Sequence, residues 1–273
     1  MNTKSKFFST ALVLTTALAF PAAHAATLIY SQNFLPAAGT DPLHDTAVET
    51  GSGNWVATST YLVNGTIGGT GAGTATLAFT PVNGLVYTLD ASFTNIAGDS
   101  NWIAFGFVNG QGTSAANSGA NPNGENRFLE VQTSGIAWLM TRGNNDPNPN
   151  NAILGVPDLI NAGSAGGNTD ADPWTGGPTN GGNIDMRIVL DTTAGAGAWT
   201  ATWFAKRDVD ASYTTIRTAS DLLSKDITSV GFGKSSDAVT ATITSFSLTS
   251  IPEPSTALLG GLGLLALMRR RRA

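Results

Sequence analysis

The sequence predicts an all-β protein, an antiparallel β-sandwich, and three observations predict it. Short stretches alternate apolar and polar side chains with period 2, as half-buried strands do. Clusters of Gly, Asn, Asp, Ser and Pro separate these stretches, and Gly alone accounts for 32 of 273 residues. An apolar stripe of helical period is missing. The apolar fraction of 41% is enough for one sizeable core, and charged residues make up only 12%.

The first segment, residues 1–25, has the pattern of a secretory signal peptide. Two lysines precede the apolar run Phe7–Phe20, and an A-x-A arrangement follows it. This pattern predicts a helix that signal peptidase removes, and an uncleaved anchor helix is the alternative. The residues that would define the cleavage position are Ala23, Ala25 and Ala26.

The middle segment, residues 26–250, is predicted to form one sandwich domain. In Val86–Thr94, apolar residues alternate strictly with Thr, Asp and Ser, which indicates a half-buried strand. No linker divides the region. The other predicted strands are Leu28–Phe34, Asn54–Val63, Thr74–Thr80, Trp102–Val108, Phe128–Gln132, Ile136–Met140, Ile184–Asp191, Trp199–Trp203, Tyr213–Arg217, Val230–Gly233 and Thr240–Leu248.

Three stretches of this region depart from the strand pattern. Ser220–Lys225 is predicted to form a helical turn or two, because Ser220 can cap it and two leucines can face the core. Gln111–Asn126 and Gly143–Gly182 are long and rich in Gly, Asn, Pro and Asp. Loops of that length in a compact domain are usually functional or disordered.

The last segment, residues 251–273, combines three features. Pro252, Glu253 and Pro254 come first, and the two prolines favour an extended, exposed handle. The apolar run Thr256–Met268 is shorter than the roughly 20 residues that span a bilayer. Four arginines follow, and because such side chains snorkel to the interface, they favour a short transmembrane helix. These are Arg269, Arg270, Arg271 and Arg272.

This order of features resembles the PEP-CTERM sorting signal of Gram-negative bacteria. The resemblance implies that exosortase, a membrane-embedded protease, recognises the tail and cuts it near Pro252–Pro254. It also implies export through the inner membrane to the cell envelope, the cell surface or a secreted matrix. An ordinary C-terminal anchor that follows a chance Pro-Glu-Pro is the alternative.

The order of strands resembles the concanavalin A-like, or laminin-G-like, jelly-roll superfamily. The resemblance implies a jelly-roll fold, which is shared by many functions. The stretches that carry it are Tyr87–Phe93, Asn101–Phe107, Asp185–Leu190, Trp199–Phe204 and Ile227–Gly233.

Several kinds of catalysis lack their residues in this sequence. There is no cysteine, and removal of the signal peptide leaves His44 as the one histidine. The G-x-S-x-G, H-E-x-x-H and phosphate-loop patterns are absent. Glu125 and Glu130 have no Asp between them, unlike the E-x-D-x-(x)-E strand of laminarinase-type sandwiches. Being five residues apart on a strand, they would also face opposite sides.

Two kinds of ligand site stay open. Oxygen ligands suit Ca²⁺, and one loop offers several, although turn chemistry explains the same residues. A glycan site needs an aromatic platform with polar neighbours, and the other five tryptophans are expected to pack in the core. The Ca²⁺ candidates are Asn144, Asn145, Asp146 and Asn148, and the glycan candidates are Trp174, Asp172, Asn101 and Arg127.

The charge of the predicted exported domain separates the function classes. Without the two ends, eight basic residues stand against eighteen acidic ones, a net charge of −10 compared with −5 for the whole chain. This disfavours nucleic acid or an anionic membrane as a partner and suits calcium or the neutral glycans of an extracellular polysaccharide. The sequence therefore predicts an exported, non-enzymatic, glycan-binding or structural matrix protein. A polysaccharide-active enzyme is the alternative.

Overall fold

Two antiparallel sheets pack face to face in the described part of the chain. The protein is described here from a computed structural model, in which the described residues are 25–58, 61–68, 73–97, 102–108, 135–142, 182–195, 198–222, 227–234 and 240–252. They belong to one compact unit, Ala25–Glu253. Their strands are β1 Thr27–Asn33, β2 Val56–Ala57, β3 Thr66–Ile67, β4 Gly73–Ala78, β5 Leu85–Ala97, β6 Trp102–Val108, β7 Gly135–Arg142, β8 Gly182–Asp191, β9 Trp199–Arg207, β10 Thr214–Leu222, β11 Ser229–Lys234 and β12 Thr240–Pro252.

The strand order places the two ends of the described chain beside each other. The first sheet has the order β1-β12-β5-β8-β9-β10, and the short β3 also pairs with β12. The second sheet has the order β2-β4-β11-β6-β7. All pairings between these strands are antiparallel. The predicted all-β, two-sheet sandwich is therefore confirmed.

Side-chain alternation explains which face of each strand is buried. In β9, Trp199, Ala201, Trp203 and Ala205 are buried, and the residues between them are half-exposed. The predicted alternation of Val86–Thr94 is confirmed in β5, where the apolar set lies inside and the Thr, Asp and Ser set lies outside. The strands β5, β8, β9 and β12 of the first sheet thus present an apolar face to the core and a more polar face to solvent.

Aromatic side chains from both sheets meet at Phe232 of β11. Its ring centroid lies 5.8 Å from that of Phe246 on β12 and 6.4 Å from that of Phe93 on β5. Trp55 packs edge-on against Phe232 and Phe246 at 5.4 Å each. The predicted core positions of Trp55, Trp199 and Trp203 are confirmed. Trp102 and Trp138 lie on β6 and β7, as predicted.

The centre of the second sheet requires a glycine. β11 runs between β4 and β6, and Gly231 stands opposite Thr76 and Gly106. A Cβ atom at Gly231 would lie 2.1 Å from the carbonyl oxygen of Ala75, far inside van der Waals contact. The missing side chain therefore allows the backbone of β4 to approach β11 closely.

Two local predictions were wrong. Ser220–Leu222 belongs to β10 and not to a helical turn, because Leu222 pairs with Trp199 of β9. Among the described residues of Asn54–Val63, which exclude 59 and 60, Val56–Ala57 alone forms a strand, and Tyr61 and Leu62 make isolated bridges to Ile67 and Pro42. The chain here passes from the second sheet, which contains β2, to the first sheet, which contains β3, so one continuous strand cannot form.

Other predictions lie outside the described residues. These are the strand Phe128–Gln132, the loop Gln111–Asn126, the loop Gly143–Gly182 except for Gly182, which begins β8, and the two terminal helices. Among the residues that are described, no helix is long and apolar enough to cross a membrane.

Candidate functional site

The end of β12 joins the sandwich to the C-terminal segment. Ser250–Pro252 continues the antiparallel ladder with β5, opposite Leu85–Tyr87. On the other side of β12, Thr27 of β1 pairs with Ser250, and β1 starts there. Ile251 and Pro252 are consequently paired along one edge only among the described strands. The backbone at Pro252 is extended, as predicted, but Pro252 is half-buried in the sheet rather than part of an exposed handle.

The predicted signal-peptide junction lies at the same end of the sheet. Ala25 and Ala26 are exposed and precede β1, which begins at Thr27. Thr27 and Ser250 are directly opposite in the antiparallel register. Ala25 and Pro252, the described residues next to the two predicted processing positions, are therefore each two residues, about 7 Å along the strand, from one cross-strand pair.

A tight turn before β5 closes this end of the sandwich. The Tyr87 hydroxyl accepts a hydrogen bond from the Val82 amide at 2.7 Å and donates one to the Val82 carbonyl at 3.1 Å. The Thr192 hydroxyl also donates to that carbonyl, at 3.0 Å. Burial raises the pKa of Tyr87, so its hydroxyl stays protonated and available as a donor. The turn is fixed, yet the Val82 side chain is exposed, as are those of Leu28 and Ile251.

A second group of side chains lies on the outer face of the first sheet. Arg187 of β8 forms a two-point ion pair with Asp90 of β5, with distances of 2.6 Å from Nε and 3.3 Å from Nη2. Two residues before Arg187 on β8, Asp185 accepts a hydrogen bond from the Ser92 hydroxyl at 2.7 Å and forms an ion pair with Lys206 at 3.1 Å. Each contact joins directly opposed residues of neighbouring strands. We refer to Asp90, Ser92, Asp185, Arg187, Lys206 and Tyr213 as the outer-face cluster.

Tyr213, the residue before β10, completes the outer-face cluster. The guanidinium carbon of Arg187 lies 4.4 Å from the centre of its ring, and the Lys206 ammonium lies 5.7 Å from it. Burial, and then the nearby carboxylate of Asp90, raise the pKa of Tyr213 to about 12. The phenol is thus neutral at physiological pH, with its ring over two cations.

The outer-face cluster offers hydrogen-bonding groups and an aromatic ring rather than acid–base chemistry. Glycoside hydrolysis needs a carboxyl group that is free to protonate the leaving group, whereas the carboxylates of Asp90 and Asp185 are each engaged in an ion pair with a basic side chain. Two carboxylates, two cations and a hydroxyl can instead hydrogen-bond the hydroxyl groups of a polar ligand. The cluster can also act simply as cross-strand stabilisation, worth up to about 1 kcal/mol a pair.

His44 has a structural role in the described structure. Its Nδ1 accepts a hydrogen bond from the Ala57 amide at 3.2 Å, and its Nε2 lies 3.5 Å from the Asp45 carboxylate. The ring thereby ties the loop after β1 to β2. No three His, Cys, Asp or Glu residues in the described ranges lie close enough together to hold a metal ion.

Most sequence-predicted site residues lie outside the described residues. Of the sorting and cleavage residues, only Pro252, Ala25 and Ala26 are described. The Ca²⁺ candidates Asn144, Asn145, Asp146 and Asn148, and the glycan candidates Trp174, Asp172, Asn101 and Arg127, remain predictions. So do Ala23, Glu253, Pro254 and Arg269–Arg272.

Sequence reasoning missed the outer-face cluster. The signal was present, because Asp185, Arg187 and Asp90 are the charged members of two strongly alternating strands. Their pairing depends on the register between β5 and β8, which are separated by some ninety residues of chain. No local pattern specifies that register.

Comparison with protein-family models identifies the C-terminal segment. Residues 250–272 match the PEP-CTERM protein-sorting motif, which implies export, exosortase processing and sorting to the cell surface. The match begins inside β12 and includes the paired residues Ser250–Pro252. The predicted PEP-CTERM resemblance is confirmed. No curated protein matches the chain.

Solved structures with a similar arrangement include lectins. Peanut lectin is 18% identical with a TM-score of 0.47, and the match covers 83% of this chain and 97% of that one. Arcelin-5, a lectin-like defence protein from Phaseolus vulgaris, is 15% identical with a TM-score of 0.41 and coverages of 85% and 100%. Lectin I from Ulex europaeus is 13% identical, with a TM-score of 0.41 and coverages of 84% and 98%. No ligand or site residue follows from likeness at this level.

Proposed function

We propose that the chain is an exported, exosortase-processed, non-enzymatic protein of the cell surface or extracellular matrix. Signal peptidase and exosortase remove the two ends, and a sandwich of the concanavalin A-like jelly-roll type remains. In the precursor, a signal-peptide helix precedes the sandwich and a short transmembrane helix follows it. Before exosortase processing, the chain contacts the membrane only through this C-terminal segment. The observation that carries the proposal is the sorting-motif match at residues 250–272, which starts where the folded sandwich ends.

The charge distribution supports a binding or structural role in extracellular polysaccharide. The domain between the ends has a net charge of −10, which keeps it soluble and away from anionic polymers. The outer-face cluster supplies the aromatic ring of Tyr213 and hydrogen-bonding groups on one polar sheet face. Calcium at Asn144–Asn148 would be an additional ligand of a long Asn-rich loop.

The sorting part of the proposal is tested by replacing the Pro-Glu-Pro segment. In a host that contains exosortase, the variant Pro252→Ala/Glu253→Ala/Pro254→Ala keeps the apolar run and the arginines, so its precursor should stay in the inner-membrane fraction. The control Pro36→Ala changes a proline at the start of a short exposed turn and should be released like the wild type. Release of the triple variant at the wild-type rate would contradict exosortase sorting.

The role of the sandwich is tested with the purified domain, residues 26–252. Binding on a glycan array that is lost in Trp174→Ala or Tyr213→Ala supports a glycan-binding role, and self-association without array binding supports a structural one. The domain is also assayed against glucans, galactans and alginates. Turnover of any of these would show that the alternative, a polysaccharide-active enzyme, is correct.

A further inference from the structure

Three residues belong to both the sorting motif and the folded sheet. Ser250–Pro252 opens the match to the motif and also forms the last three residue pairs of β12 with β5. β12 lies in the interior of its sheet, between β1 and β5. The segment that leads into the Pro-Glu-Pro sequence is therefore not a free linker.

Proteolytic enzymes act on exposed, flexible chain, and extended segments are commonly recognised through their main-chain hydrogen-bonding groups. In Ser250–Pro252 the edge towards β5 is already occupied by strand pairing. We infer that the end of β12 must separate from β5 before the sorting enzyme can cut the chain, so that this strand pairing controls the rate of processing. The inference rests on the proposed function and concerns the regulation of the same site.

The structure shows why such an opening is small and local. Pro252 has no amide hydrogen to donate to the ladder, and Ile251 is 38% exposed. Neither residue has a β1 partner, whereas Ser250 is buried and paired on both sides. Separation of Ile251 and Pro252 thus leaves the core intact, and the double pairing at Ser250 limits how far the opening extends. Local openings at strand ends are the least costly ones in a folded domain.

The covalent step follows the opening. One peptide bond in the Pro252–Pro254 region breaks, and its acyl carbon bonds to the oxygen of water or the nitrogen of an amine acceptor. The leaving nitrogen takes up the proton that the water or amine gives up, and the new amino terminus departs with the apolar tail. When opening and closing are fast, the rate of cutting is proportional to the open population. A change that holds the strand end closed should then slow processing in proportion.

A disulfide that closes this end tests the inference. The chain contains no cysteine, so an introduced pair has no competing partner. Val86→Cys/Ile251→Cys joins directly opposed residues of β5 and β12 at the junction, and Thr94→Cys/Thr242→Cys joins the same strands at their far end as a matched control. In cells that process the wild type, the oxidised junction pair should lower the rate at which mature protein appears by about tenfold or more. Reductant should restore the rate, and the control pair should leave it unchanged.

A spacer provides the opposite perturbation. A Gly/Ser insertion of about six residues between Ile251 and Pro252 places the Pro-Glu-Pro segment on flexible chain, and processing should become several-fold faster. Failure of the wild type to be cut at all would contradict the proposed sorting itself. If the wild type is cut, equal processing rates for the oxidised junction pair, the spacer variant and the wild type would overturn the inference that strand pairing regulates processing.

Discussion

Replacement of Phe232 by alanine should strongly destabilise the sandwich. Phe232 is fully buried on β11 and contacts aromatic residues of the opposite sheet and of the segments between strands, with centroid distances from 5.3 to 6.4 Å. Its removal opens a cavity at the point where the two sheets meet. The neighbouring rings are those of Phe34, Trp55, Tyr61, Phe93 and Phe246.

The expected loss follows from the size of the cavity and the number of lost contacts. Truncation of a buried Phe to Ala costs about 3–5 kcal/mol. Edge-on aromatic pairs contribute about 0.5–1.5 kcal/mol each beyond buried area, and part of this is already included in the truncation figure. With five aromatic partners, we expect the upper part of the range, about 4–5 kcal/mol. A domain has only about 5–15 kcal/mol of unfolding free energy, so the variant should retain little stability against unfolding.

Urea denaturation of the domain comprising residues 26–252 measures this loss, with tryptophan fluorescence as the signal. With a urea dependence of about 3 kcal/mol per molar, the midpoint should fall by about 1.5 M. Phe204→Ala is the matched control, because Phe204 lies on the half-exposed outer side of β9 and its loss should cost about 1 kcal/mol or less. A loss below about 1.5 kcal/mol for Phe232→Ala, or one no greater than that of Phe204→Ala, would refute the described packing of the two sheets.

Three further predictions concern the second sheet and the titrating groups. Gly231→Ala should destabilise the domain by more than about 2 kcal/mol, because its Cβ would meet a backbone carbonyl of β4. The control Gly68→Ala, whose Cβ would have 3.9 Å of clearance, should change stability little. Equal urea midpoints for the two variants would contradict this prediction. Burial raises the pKa of all four tyrosines, that of Tyr213 to about 12, so the folded domain should show little phenolate absorbance at about pH 10, where the unfolded chain ionises. The contribution of the protonated tyrosines to the free energy of unfolding is complete below about pH 10 and is lost as the pH rises through the folded pKa values. A tyrosine titration in the folded domain with a midpoint near pH 10 would contradict the burial of these side chains. Hydrogen bonds from Arg207 lower the pKa of Asp210. Asp210→Asn should therefore lower the Tm at neutral pH, and the difference from the wild-type Tm should shrink as the pH falls below about 4. A Tm difference that does not change with pH would contradict this prediction.

Period-2 alternation predicts the long strands well. The predicted Trp102–Val108 coincides with β6, and β5, β8 and β9 extend the predicted segments by a few residues. Alternation is sufficient there because one face of each strand is buried and carries apolar side chains, whereas the other faces solvent and carries polar ones.

The errors occur where tertiary pairing overrides a local pattern. Ser220 offers a helix cap, yet the pairing of Leu222 with Trp199 extends β10 instead. Asn54–Val63 is rich in strand-forming residues, but its short pairings go to different partners in the two sheets. Strand propensity predicts an extended chain and does not specify which strand it joins.

The candidate sites differ in how far the sequence reveals them. The sorting motif is readable because its prolines, apolar run and arginines are contiguous in the chain. The pairing of Ser250 with Thr27 and the ion pair of Asp90 with Arg187 join residues that are distant in the chain, so only the fold shows them.

The intact mass of the mature protein tests the central claim most directly. Protein is collected from the cell surface and medium of a host that contains exosortase, and its mass is compared with that of the full chain. Processing at both ends predicts a species that begins near Ala26 and ends within or just after Pro252–Pro254. A mature species that retains Arg269–Arg272 would contradict the account.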